Sequence, residues 1–149
     1  MLKKLILSFC FVSLLSIGLE TMSYANARDI DTTKDSKFLM YNDMLMVILN
    51  GQVEEAANAY YFKTLKQRVA VYPYDMNVVN VKRVNGFRGF VFLITIETEP
   101  SIGAHNSVGK DRFTFQISPL VPNMKGIKLM KFKHIKTYSI PPHLRDWGL

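Results

Sequence analysis

Three observations predict an α+β fold. Apolar residues recur at helical spacing from 38 to 66, strand-like alternation takes over from 76 to 136, and hairpin-type turn signals separate the strand runs. Helices that precede a run of hairpin-linked strands pack on one face of a single antiparallel sheet. Two N-terminal helices on a four-stranded sheet are therefore expected. With 149 residues the chain suits one domain, and its 48% hydrophobic and 12% aromatic content is enough for a core.

Residues 1–27 stand apart from the domain. Lys3 and Lys4 open them, an uncharged apolar run follows from Leu5 to Leu19, and they end on Ala25-Asn26-Ala27. This is the three-part pattern of a secretory signal peptide with cleavage after Ala27. The alternative is an uncleaved N-terminal membrane anchor, but the apolar run is shorter than the roughly 20 residues a spanning helix needs. Cys10, the single cysteine, lies inside that run. The mature chain is then cysteine-free, without disulfides or thiol chemistry, and its core must hold it together.

The polar stretch 28–37 reads as a flexible linker, with Asp35 or Ser36 able to cap the helix that follows. In 38–50, Phe38, Tyr41, Leu45 and Ile48 repeat at three or four, with Leu39, Met46 and Leu49 widening the face. Asn50-Gly51 predicts a break. A second helix then runs over 52–66 on Val53, Ala56, Ala57, Tyr60, Tyr61 and Leu65. The stripe of Met40, Met44 and Met46 is read as core cover for the sheet.

Pro73 makes 67–74 a connection or a short edge strand. A first strand is expected at 76–84, and Asn85-Gly86 signals a tight turn. The centre of the chain is a long hairpin. Its first arm, 89–99, puts Phe90, Phe92, Ile94 and Ile96 on one face; its second, 110–118, puts Phe113, Phe115 and Ile117 inward. A turn at 119–126 leads to a last strand at 127–136, with Met130, Phe132 and His134 opposite Lys131 and Lys133. The domain thus spans 38–136. Residues 137–149 form a tail in which Pro141-Pro142 stops regular structure and Trp147 either docks or serves as a contact. A curved sheet wrapped on a helix, as in cystatin-like or NTF2-like folds, fits this element order.

Chemistry concentrates in the hairpin loop. Gly103 to Gly109 offers His105, Asn106 and Ser107 in consecutive positions, flanked by Glu97, Glu99 and Asp111. His105 with Glu97 or Asp111 would make an acid–base pair for a small hydrolase or isomerase. The plainer reading is a structured turn in which Asn106 bonds its own backbone. Tyr60-Tyr61 and His134 are further candidates for binding, with a ring pair at the helix–sheet boundary and a satisfied strand histidine as the plainer alternatives. Metal-ligand spacings, phosphate-cradling glycine loops and dinucleotide fingerprints are absent from the sequence, so no metal or cofactor is expected.

Ile102-Gly103-Ala104-His105-Asn106, Asp111 to Ile117 and Lys131-Phe132-Lys133-His134, with the paired Tyr60-Tyr61, resemble the bacterial family called domain of unknown function 3888. The resemblance covers roughly 38–136. The family pattern has prolines after its Gly-x-His-Asn loop where this chain has Ser107-Val108, and a proline-containing helix break where it has Asn50-Gly51. The resemblance implies a small exported protein of a spore-forming Gram-positive bacterium and carries no activity.

The net charge of +7 stays strongly basic once residues 1–27 are set aside, since they carry two lysines and one glutamate. Such a chain is drawn to anionic surfaces, including phosphate-bearing wall polymers and lipid headgroups. Export and dispersed basic residues argue against nucleic acid. The sequence thus favours a non-enzymatic module that binds an envelope ligand or protein. The hydrolase or isomerase is the second reading, and an inhibitor-like domain presenting its hairpin loop is the third.

Overall fold

Ser36 starts a single long helix. Its Oγ accepts the Leu39 N–H at 3.1 Å, and α1 runs from Lys37 to Leu65. Lys66 ends it in the left-handed conformation (φ 57°), donating its N–H to the Phe62 carbonyl at 3.1 Å. The computed structural model describes residues 31, 33–119 and 126–144. The expected signal peptide with Cys10 and Ala27, the turn residues 120–125 and Trp147 lie outside these.

The helix corrects two expectations. It does not break at Gly51, so one helix replaces the expected two. Buried Met46, Leu49, Val53, Ala57 and Tyr61 form one stripe that passes Gly51 at spacings of three and four. Their joint burial outweighs the roughly 1 kcal/mol that a mid-helix glycine costs. The inward face of the first half is also not the one led by Phe38, Tyr41 and Ile48, which are all exposed, as are Met40 and Met44. That half is apolar nearly all round, so periodicity could not choose a side; the polar residues of the second half set it.

The sheet is an antiparallel meander of β1 (Asn77–Arg83), β2 (Phe92–Thr98), β5 (Gly109–Ile117) and β6 (Ile127–Thr137). A two-residue ladder, β3 (Ser101–Ile102) with β4 (Asn106–Ser107), interrupts it between β2 and β5. Among the described residues the fold is thus α+β, with one long helix and four main strands. Ile94 pairs with Phe115 and Ile96 with Phe113, and all four are buried against the α1 stripe. Phe90 precedes β2 and is exposed. Asn85-Gly86 opens a longer connection, closed by Val84 N–H to the Val91 carbonyl at 2.9 Å.

Two register shifts shape the edge strand β6. Met130 and Ile135 are the extra residues opposite the Thr114/Phe115 and Lys110/Asp111 steps. Each extra residue resets the alternation of side chains. Phe132, His134 and Thr137, facing Phe113, Asp111 and Gly109, consequently share the helix side of the sheet.

Asn58 ties helix to connection. Its Nδ2 donates to the Val69 carbonyl at 2.9 Å while its Oδ1 accepts the Val69 N–H at 2.8 Å. Val69 and Val71 are thereby held in the core; the stretch 67–74 is a connection whose one strand-like feature is the antiparallel bridge of Ala70 to Ser101, and Pro73–Asp75 forms a 3-10 turn before β1.

Candidate functional site

The helix–sheet boundary at the C-terminal half of α1 brings together residues that the sequence treated separately. Asp111 sits on β5 with 0% exposure, and its Oδ1 lies 2.7 Å from His134 Nδ1 on β6. His134 Nε2 lies 2.8 Å from Thr137 Oγ1. An ionised Asp111 sets the tautomer: Nδ1–H donates to the carboxylate, and Nε2 accepts from the threonine hydroxyl. Tyr60 stacks on the imidazole, with centroids 5.0 Å apart and planes at 28°. Tyr61 meets it edge-on at 6.1 Å.

The interior of this cluster is electrostatically tense. Burial pushes the Asp111 carboxyl above the ordinary aspartate value, and the facing His134 and Tyr61 offset that only in part. Burial, with the Asp111 carboxylate beside it, also pushes the Tyr61 phenol far up. Tyr61 Oη and Asp111 Oδ2 interact across the core, yet neither completes a well-formed hydrogen bond. Thr98, the register partner of Asp111, has a buried Oγ1 in the same condition. Gly109 makes the approach possible: a Cβ there would press on the Tyr61 hydroxyl and come within 3.0 Å of the His134 ring.

The hairpin loop is built differently from the acid–base pair the sequence suggested. His105 adopts φ 62° in the turn between β3 and β4, and Asn106 Nδ2 donates to the Ala104 carbonyl at 3.2 Å. The imidazole packs on Tyr72 at 5.2 Å, with Nδ1 3.3 Å from the Tyr74 hydroxyl. Among the described residues no carboxylate forms an ion pair with His105. Asp111 is taken by His134. Glu97 lies on the opposite face of the sheet, bonded to Arg112 and 3.0 Å from Lys110. His105 with Glu97 or Asp111 is therefore not an assembled pair: His134 holds Asp111, Arg112 and Lys110 hold Glu97, and His105 Nδ1 faces the Tyr74 hydroxyl. A pocket of about 170 Å³ beside the loop joins Tyr74, Asp75, Glu97, Glu99 and Ser107; it is smaller than the roughly 300 Å³ of an ordinary small-molecule site. Among the described residues no three His, Asp or Glu side chains are grouped to hold a metal.

Thr137 escaped the sequence reading. Residues i and i+3 on a regular strand point to opposite faces, so only the extra residue Ile135 places it beside His134.

The face of the sheet away from α1 is strongly basic. The register puts Lys82, Lys110, Arg112, Lys128, Lys131, Lys133 and Lys136 there, with Glu97 the one carboxylate among the paired strand residues of that face. A groove of about 480 Å³ runs across it, lined by Val79, Asn80, Thr95, Arg112, Thr114, Lys131 and Lys133.

Residues 41–136 match the family described as "Protein of unknown function (DUF3888)". The chain belongs to this DUF3888 family. The matched region holds Tyr60, Tyr61, Asp111 and His134 and the His105 cluster, and ends one residue before Thr137. No curated protein and no solved structure matches the chain.

Proposed function

We propose that the protein is an exported binding module that takes a phosphate-bearing anionic ligand of the cell envelope on the open face of its sheet. The observation that carries this reading is the excess of cations on that face. Lys131 and Lys133 line the groove and form no ion pair among the described residues. Lysines on a flat polar surface attract phosphate as point charges, with strong dependence on salt. Residues 1–27 support the export part of the reading through their signal-peptide pattern. No helix among the described residues is long and apolar enough to cross a membrane.

Sedimentation with phosphate-bearing wall polymer or with anionic lipid vesicles tests the proposal, and the two arms separate the sources of phosphate. Retention is expected at low salt, with loss on raising the salt or in the double variant Lys131→Glu/Lys133→Glu. Equal retention of the double variant and the wild type would sink it.

A further inference from the structure

We propose that Thr137 is the nucleophile of an acyl-transfer site, with His134 as its general base and Asp111 as the residue that positions the imidazole. This site lies on the opposite side of the sheet from the basic groove and does not depend on that reading.

The geometry is that of an activated hydroxyl. A carboxylate with no exposure holds Nδ1, Nε2 lies 2.8 Å from Oγ1, and Thr137 itself is exposed. The hydrogen-bonded relay carboxylate–imidazole–hydroxyl is the arrangement by which a hydroxyl is activated for attack, whatever the fold beneath it. Asp111 Oδ2 faces the Tyr61 hydroxyl in the interior without a well-formed hydrogen bond. A carboxylate desolvated in this way and bonded to an imidazole is a cost to the fold of the kind found at sites that move a proton. Tyr60 covers one face of the imidazole and holds its plane. Immediately after Thr137, Tyr138, Ser139 and Ile140 line a cleft of about 380 Å³ with Thr64, Leu65 and Gln67. Its volume suits a short acyl chain, with Leu65 and Ile140 as the apolar contacts.

The substrate class is a carboxylic ester. Thr137 Oγ1 attacks the carbonyl carbon and the ester C–O bond breaks. The hydroxyl proton passes to His134 Nε2 and on to the departing alkoxide, which leaves as the alcohol. Water then adds to the acyl-threonine carbonyl. Its proton passes through Nε2 to Oγ1 as that bond breaks, releasing the acid and restoring the hydroxyl.

The test uses the full chain with p-nitrophenyl acetate, read as nitrophenolate release and, in quenched samples, as an acetyl adduct mapped by mass spectrometry. The expected result is an adduct on Thr137, retained in Thr137→Ser, absent in Thr137→Val and formed at least about tenfold more slowly in Asp111→Asn. Circular dichroism establishes that each variant folds. Should Asp111→Asn fail to fold, the valine–serine pair at 137 decides alone, since those side chains leave the core untouched. No adduct on Thr137, or an equal rate of release from Thr137→Val, overturns the assignment. Loss of adduct formation with salt-dependent retention intact would remove this site and leave the binding reading standing.

Discussion

At the scale of single residues, two glycines show how differently the same side chain can matter. Gly109 lies under Tyr61 and His134, and a methyl group there would also meet the Lys136 carbonyl at 2.5 Å. Gly51 is in mid-helix, where an added Cβ meets nothing within 4 Å. Gly109→Ala is expected to destabilise by about 2 kcal/mol through overpacking. Gly51→Ala should stabilise by roughly 0.5–1 kcal/mol, the helix-propensity difference. Urea denaturation of the two variants beside the wild type checks both signs. The sequence suggested a helix break at Gly51 and a loop end at Gly109, and neither reading marks which of the two is closely packed. Asp111 shows the same limit: it stood out as a carboxylate near His105, but its partner is 23 residues away on the next strand.

At the scale of elements, α1 separates what periodicity reveals from what it cannot. In the second half, Val53, Ala57 and Tyr61 were legible as core because polar residues flank them. In the first half Ile48 and Leu49 are adjacent and equally apolar, and the structure leaves the first 61% exposed and the second fully buried. Leu49→Ala is expected to cost about 3 kcal/mol, and Ile48→Lys to stay within roughly 0.5 kcal/mol of the wild type. Thermal melts of the two variants distinguish this face from its neighbour. The β6 edge strand carries the same lesson. Its extent was legible, since 127–136 was expected and Ile127–Thr137 is observed. Its two extra residues leave no mark in the pattern of residue types, so Met130 was expected inward and is half exposed.

At the scale of the whole molecule, charge and burial lie on opposite sides of one sheet. The open face gathers the cations, and Glu97 answers two of them. Partial burial alone would raise the Glu97 carboxyl, but bonds and charge from Arg112 and Lys110 outweigh it and hold the group below its ordinary value of 4.5. A carboxyl lowered on folding stabilises above its unfolded value, and this contribution is lost as pH falls through the folded value. Melting temperatures measured from pH 6 down to pH 3 should therefore fall less steeply for Glu97→Gln than for the wild type. Parallel slopes would remove Glu97 as a source of acid sensitivity. Asp111 acts in the opposite sense. Its raised carboxyl makes the folded state bind the extra proton, so its contribution declines as pH rises from below 3.8 through the raised value.

The sequence by itself determined the class of fold, the hairpin arms at the heart of the core and the family, because these rest on local alternation and on contiguous motifs. Ile94, Ile96, Phe113 and Phe115 could be placed inward from spacing alone, since a strand buried on one face must alternate. Only the tertiary structure decided which side of α1 meets the sheet, that Gly51 interrupts nothing, and that Asp111, His134 and Thr137 share one face. Those outcomes depend on an apolar surface that offers several equivalent faces and on single inserted residues that reverse the direction of every side chain beyond them.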